Sequence, residues 1–125
     1  MAYTGKIKVT NHFRMPLFVT IIHRSGLLSN EMFISEQQIG SDISFQFEQE
    51  FKSVQSVPVR DVFQIKGRWN RGDDSYLRAE TIIKYSWSKA DDGGVVEIVL
   101  NDVGVLFIPP SNPNGISQNY DHPIS

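Results

Sequence analysis

The 125-residue chain contains no cysteine, which excludes disulfide bonds, thiolate zinc sites, iron–sulfur clusters and cysteine nucleophiles. It has no excess of positive charge either, since 12 lysines and arginines stand against 14 acidic residues and the formal net charge is -2. Proteins that neutralise many phosphates are normally basic, so we expect no nucleic-acid partner. No apolar run approaches the ~20 residues that a membrane-spanning helix needs.

Sequence signatures of catalysis and of cofactor binding are missing as well. No Gly-x-Ser-x-Gly elbow frames a serine, and no phosphate-binding or dinucleotide-binding glycine pattern occurs. The three histidines, His12, His23 and His122, do not stand at a metal-ligand spacing, so we expect no metal site and no cofactor. These absences predict a protein that is not an enzyme, and a hydrolase ranks only third among the alternatives.

Two acidic pairs keep one calcium alternative open. Asp73-Asp74 and Asp91-Asp92 lie in predicted loops, and loops of this kind often supply the six to eight oxygens that calcium requires. Adjacent acidic residues are also common in exposed turns. A calcium-dependent lipid-binding sandwich is therefore an alternative to the metal-free expectation.

Alternation of polar and apolar residues dominates the chain and predicts strands. It is cleanest in residues 42–48, where Ile43, Phe45 and Phe47 share one face. We predict that this face lies in the core, together with Val96, Ile98 and Leu100 from residues 95–100. About seven such runs, separated by turn residues and with no convincing helix, predict an all-β fold: a single antiparallel β-sandwich.

The prolines divide the chain. Four of the six lie in residues 109–125, where few apolar residues remain. Proline cannot continue a central strand, so we predict a β-sandwich domain in residues 1–108 and a Pro-rich extended C-terminal tail in residues 109–125. Truncation after Pro110 is then expected to leave the melting temperature nearly unchanged.

Aromatic and basic residues concentrate in the middle of the chain. Residues 60–89 hold seven lysines and arginines against four acidic residues. Tryptophan and tyrosine favour membrane interfaces, and nearby bases attract anionic headgroups. We therefore predict a lipid-binding surface, with an exposed Trp87 as first choice because Ser86, Ser88 and a turn surround it. The candidate residues are Trp87, Tyr76, Arg71, Arg78, Trp69 and Lys89.

Two alternatives to this surface stay open. In the first alternative, the core contains Trp69, Tyr85 and Trp87, and the bases form a solvated face. In the other, lipid binding maps to residues 27–33, where Leu27, Leu28, Met32 and Phe33 are apolar.

Four stretches of the sequence resemble the family described as Up-regulated in Daf (PUD-type). KIKVTN (residues 6–11), then Pro16 and VTIIHRS (residues 19–25), are similar to its Ile-x-Val-x-Asn strand and to its strand ending in His-Arg/Lys-Tyr-Ser, although the tyrosine is missing here. DVFQIKGRW (residues 61–69) is similar to its Asp-Trp-Trp-x-Val-x-Trp strand, with both leading tryptophans replaced, and DDGGVVEIVLN (residues 91–101) resembles its last hairpin.

The resemblance implies an aegerolysin-like β-sandwich, a fold whose members bind particular membrane lipids. Some of them act with a larger protein to form pores, including in insect-active toxins, and PUD-type proteins can associate as dimers. We therefore expect a non-catalytic protein that recognises a membrane lipid, as the small component of a two-component pore-forming (cytolytic or insecticidal) system. The alternative is a protein-interaction module that forms a homo- or hetero-oligomer and has no membrane role.

The first residues carry no pattern of a secretory signal, because no basic stretch is followed by an apolar one. We therefore expect a cytoplasmic location, or release without a signal peptide.

Overall fold

A computed structural model describes residues 2–25, 30–54, 61–70 and 76–121. A short 3-10 helix, Lys89–Asp91, is the one helical element in these ranges. The other elements are strands: β1 (Ala2–Asn11), β2 (Leu17–Ser25), β3 (Asn30–Ile39), β4 (Ser44–Val54), β5 (Asp61–Asn70), β6 (Tyr76–Tyr85), β7 (Gly94–Leu100), β8 (Gly104–Ile108) and β9 (Ile116–Asn119).

The strands form two sheets that pack face to face. The five-stranded sheet has the order β4-β1-β7-β8-β9, and the four-stranded sheet has the order β3-β2-β5-β6. The predicted β-sandwich is thus confirmed. The expectation of purely antiparallel pairing is wrong at one place, because β1 and β7 run parallel. The chain builds the whole of the other sheet between these two strands, which gives it the long crossover that parallel pairing needs.

A single core lies between the sheets and is rich in aromatic rings. Phe47, Val96, Ile98 and Leu100 are buried in it as predicted. Its largest fully buried side chains include Trp87, Phe51, Phe63 and Phe107.

Two predicted core residues lie outside the core. Ile43 is 55% exposed and Phe45 is 39% exposed. The physical reason is that Ile43 belongs to the turn before β4, and β4 is an edge strand of its sheet. Phe45 faces inward at the margin of that strand, where one side has no neighbouring strand to cover the ring.

Asn11 organises one end of the sandwich, which we call the Asn11 end and define by the turns at residues 12–16, 40–43 and 101–103. Its side-chain amide donates hydrogen bonds to the carbonyl oxygens of Met15 (3.0 Å) and Ile39 (2.9 Å), and its Oδ1 accepts one from the Phe13 amide (2.7 Å). The backbone of Asn11 also bonds to Asp42 and Ile43. One buried residue thereby fixes two of the three turns.

The segment predicted to be a tail contributes a strand. β9 pairs with β8 along residues 116–119, and Ile116 and Tyr120 pack against the core. The Tyr120 hydroxyl donates to the Asn101 carbonyl (2.8 Å), and the Asp121 amide donates to the Glu80 carbonyl (2.8 Å). Residue 108 therefore does not separate the sandwich from a tail. The strand was missed because only four residues form it, beyond three of the prolines.

Truncation after Pro110 is now expected to destabilise the protein. It removes β9 and the half-buried apolar surface of Ile116 and Tyr120, a loss of about 2 kcal/mol or more. For a chain of this size that corresponds to a fall in melting temperature of roughly 5–15 °C. Differential scanning calorimetry of the full chain and the truncated chain checks this, and equal melting temperatures would contradict the packing of β9.

Candidate functional site

The outward side of the four-stranded sheet gathers bases that are scattered along the sequence. Cross-strand pairing puts Phe18, Arg68 and Arg78 in one row, and Thr20, Lys66 and Glu80 in the next. We call this surface the basic face. Its described charged residues are five bases and two acids: Arg24, Lys66, Arg68, Arg78 and Lys84 with Glu36 and Glu80.

Arg68 is held firmly at the centre of the basic face. Its guanidinium forms two hydrogen bonds to the Glu36 carboxylate, at 2.6 Å and 2.5 Å, which is the bidentate geometry that arginine favours. It also lies 4.4 Å from the centroid of the Phe18 ring, within cation–π distance. The hydrogen bonds from Arg68 lower the pKa of Glu36, so this carboxylate stays charged at neutral pH.

Two neighbouring cations form no such hydrogen-bonded pair, although the charge of Arg78 also helps to lower the pKa of Glu36. Arg78 lies directly opposite Arg68 in the β5–β6 register, and like charges at opposed positions repel. Lys66 lies opposite Glu80, but Glu80 Oε1 accepts a hydrogen bond from Gln64 at 2.5 Å. Neither Lys66 nor Arg78 forms an ion pair with any residue in the described ranges. Both are exposed and can meet an external anion.

These side chains surround a shallow depression. Its volume is about 510 Å³, and its charged lining consists of three bases, Lys66, Arg68 and Arg78, and two acids, Glu36 and Glu80. Lysine and arginine are the side chains that bind phosphate oxygens in proteins. The arrangement therefore suits a phosphate or another compact anionic group.

Trp87, the first candidate for exposure, is fully buried, so that prediction is wrong. Its indole N–H donates to the Thr4 carbonyl (2.9 Å), and its ring meets Phe51 edge-on with centroids 4.9 Å apart. The polar neighbours suggested exposure, but the Trp87 amide donates to buried Asp61 (2.9 Å) and draws this turn inward. Trp69 is also buried, 3% exposed against Phe13.

The remaining candidates separate in space. Arg78 lies on the basic face, whereas exposed Lys89 lies in the 3-10 helix at the end of the sandwich opposite Arg78. The backbone of Tyr76 begins β6, but its side chain and the whole of Arg71 lie outside the described residues. Lys66 and Arg68 belong to the basic region of residues 60–89 but are not among the six predicted lipid-binding residues. The signal in the sequence that places them on one face is their alternation with the buried residues Phe63, Ile65 and Trp69.

The second candidate surface, residues 27–33, is only partly described. Residues 26–29 and the Phe33 side chain lie outside the described residues. Met32 lies in β3 and packs against the core.

Asp91, half of one acidic pair, serves the fold. It is buried, and its carboxylate accepts hydrogen bonds from the Tyr85 hydroxyl (2.8 Å), the Ser111 amide (2.9 Å) and the Ser88 amide (3.1 Å). Burial alone would raise the pKa of Asp91, but these donors outweigh it and the pKa is lowered. The described residues contain no group of three or more potential metal ligands, and Asp73-Asp74 lies outside them.

A second buried cluster joins His23, Asp61 and Ser53. Asp61 Oδ1 lies 3.0 Å from His23 Nε2, and Oδ2 accepts the Ser53 hydroxyl at 2.8 Å. The composition is that of a catalytic triad, but the serine bonds to the aspartate and not to the histidine, and none of the three is more than 3% exposed. The cluster thus links β2, β4 and β5 from inside the core.

Acid should destabilise the protein through these carboxylates. Burial raises the pKa of Asp61, but hydrogen bonds from His23, Trp87 and Ser53 outweigh it and hold the pKa below its ordinary value of 3.8. A carboxyl with a lowered folded pKa stabilises the fold above the unfolded value, and this contribution disappears as the pH falls through the folded pKa. We expect the free energy of unfolding to be steady above about pH 5 and to fall steeply below about pH 4.

Urea denaturation at a series of pH values measures this dependence. The Asp61→Asn variant is the control, because its pH profile should be flatter than that of the unaltered chain. Stability that stays constant or rises between about pH 5 and pH 3 would contradict the assignment.

Together, the fold and the site define a two-sheet β-sandwich with a basic outer face. Comparison of the sequence with protein-family models gives no match, and comparison with curated proteins gives none. Among the described residues, no helix is long and apolar enough to cross a membrane.

Proposed function

We propose that the protein is a non-catalytic membrane-lipid-binding protein whose basic face meets the phosphate of anionic headgroups. The observation that carries the proposal is the pair of exposed cations Lys66 and Arg78, which form no ion pair among the described residues and which a bound anion would neutralise. The resemblance to aegerolysin-like proteins supports the same function. It also leads us to propose a larger pore-forming protein as partner.

The charge distribution favours this role even though the whole chain is slightly acidic. Among the described side chains of the basic face, bases outnumber acids by three, whereas the formal net charge of the chain is -2. Each base near an anionic membrane surface contributes about 1 kcal/mol. A surplus of three then contributes about 3 kcal/mol, on the order of a hundredfold in affinity. An anionic surface repels the acidic remainder of the molecule, which favours orientations that bring the bases of this face close to the headgroups.

The test compares one chemical change on the two outer faces of the sandwich. Lys66→Gln removes a cation from the basic face, and Lys52→Gln removes an exposed lysine from β4 on the other sheet. In co-sedimentation with phosphatidylcholine vesicles that contain phosphatidylserine, Lys66→Gln should weaken binding about fivefold. Lys52→Gln should leave binding unchanged. Equal effects of the two substitutions would contradict the proposal.

An edge strand favours a second candidate function, a protein-interaction module. β4 is eleven residues long and lies at an edge of its sheet, and long exposed edges are templates for pairing with another chain. At the other edge of the same sheet, the Thr81 hydroxyl of β6 donates a hydrogen bond to the Asn119 carbonyl of β9 (3.2 Å), and this bond links the two sheets. A discrete oligomer in light scattering that binds no vesicle would favour this second function.

A further inference from the structure

Exposed apolar side chains cluster at the Asn11 end. Four large apolar side chains in the described residues are markedly exposed: Ile43, Phe45, Ile82 and Val103. Ile43 lies in the turn before β4, Phe45 lies one residue into that strand, and Val103, which is 69% exposed, lies in the β7–β8 turn. The register places all three at one end, because Ser44 pairs with Thr10 and Leu100 pairs with Asn11.

These side chains are presented by turns whose backbones are already hydrogen-bonded. The Asn11 amide donates to the Ile43 carbonyl (3.0 Å), and the Tyr120 amide donates to the Val103 carbonyl (3.1 Å). Asn101 Oδ1 accepts the amides of Val103 (3.0 Å) and Gly104 (2.9 Å). Turns with satisfied polar groups can enter an apolar region at less desolvation cost, and little further ordering is needed.

The cations of the basic face lie next to this end. Among the described side chains, the row of Phe18, Arg68 and Arg78 is the outward row of its sheet nearest to the Asn11 end. Interfacial proteins combine apolar residues that enter the boundary of the acyl chains with bases that remain at headgroup level. Two exposed carboxylates at this end are opposing features, because an anionic surface repels both Asp42 beside Ile43 and Asp102 beside Val103.

We propose that Ile43, Phe45 and Val103 insert into the interfacial region of a lipid bilayer while Arg78 contacts the headgroup phosphates. The inference rests on the proposed function and adds the orientation: the sandwich stands on its Asn11 end, and does not lie flat on the basic face. Removing the charge of Asp102 should accordingly strengthen binding.

The absence of cysteine makes a direct test straightforward, because a single introduced thiol is the only labelling site. Ile43→Cys, Val103→Cys and Ile82→Cys are each labelled with an environment-sensitive fluorophore. They are then mixed with phosphatidylcholine–phosphatidylserine vesicles. Ile82 is the matched control, since it is 42% exposed and lies on the basic face four residues from Arg78. Labels at Ile43 and Val103 should shift to the blue on binding, and the label at Ile82 should not.

Serine substitutions supply an independent readout in unlabelled protein. Ile43→Ser and Val103→Ser should each weaken vesicle binding roughly tenfold, whereas Ile82→Ser should not, and Asp102→Asn should tighten binding about fivefold. A blue shift or a loss of affinity at Ile82 alone would overturn the proposal in favour of a flat orientation. A shift at Ile43 that needs no vesicles and grows with protein concentration would overturn it in favour of a second copy of the chain.

The outcomes separate this inference from the proposed function. If Lys66→Gln weakens binding and neither Ile43→Ser nor Val103→Ser does, headgroup recognition stands and insertion is wrong. If the unaltered protein binds no vesicle, both are wrong.

Discussion

Replacing Trp87 with alanine is expected to reduce the free energy of unfolding by about 3–5 kcal/mol. The substitution empties the space in the core that lies over β1 and β4, where the ring packs against Phe51 and over Gly5. A Cβ at Gly5 would lie 2.5 Å from the indole ring, so the two surfaces fit together closely. The change also removes the indole donor from the half-buried Thr4 carbonyl, which then keeps only the Gly93 amide.

Urea denaturation followed by circular dichroism and by the fluorescence of Trp69 measures this loss. Trp87→Phe is the control, because it keeps an aromatic ring and removes mainly the hydrogen bond to Thr4. It should cost about 1–3 kcal/mol. If Trp87→Ala costs less than about 1 kcal/mol and weakens vesicle binding, the ring is exposed and the core as described is wrong.

Asp61→Ala has an expected effect of similar size, about 3–5 kcal/mol, because it removes a buried carboxylate and leaves its hydrogen-bond donors unpaired inside the core. The carboxylate satisfies three donors: His23 Nε2, the Ser53 hydroxyl and the Trp87 amide. None of them gains water in exchange, since His23 is enclosed by the rings of Phe51 and Phe63 at centroid distances of 4.5 Å and 4.8 Å. His23 Nδ1 already lacks a partner among the described residues.

Ser53→Ala is the matched comparison for Asp61→Ala. It removes one donor from the same carboxylate and should cost about 1 kcal/mol. Equilibrium unfolding in urea at neutral pH ranks the two variants. Similar losses for both would show that water reaches Asp61 and that the cluster is not sealed.

Alternation along the sequence was enough to predict the sandwich, but it could not show how strands are placed in a sheet. The same alternating pattern that buries Phe47 leaves Phe45 exposed, because burial at the margin depends on whether a neighbouring strand covers that side. β4 is an edge strand because it pairs with β1 and with no other strand of its sheet. This pairing joins residues that are more than 30 positions apart in the chain. Short β9 was missed for a related reason, since its stability comes from β8 and from Tyr120.

The sequence predicted that the candidate site would be rich in bases, but it did not predict which of the bases lie next to one another. The excess of bases in residues 60–89 indicated where positive charge would collect. Which bases meet was decided by the register of β5 against β2 and β6, which sets Arg68 beside Phe18 and Arg78. Trp87 was misjudged because its local neighbours are polar, whereas its burial follows from contacts with Asp61 and Thr4, 26 and 83 residues away in the chain.

The most direct test of the lipid-binding function is the headgroup and salt dependence of vesicle binding by the unaltered chain. Co-sedimentation is measured with vesicles of phosphatidylcholine alone and with vesicles that also contain phosphatidylserine, at low and at near-physiological salt. Binding through the basic face predicts strong preference for the anionic vesicles and a loss of affinity as salt screens the charges. Equal binding to both compositions, or binding to neither, would contradict it.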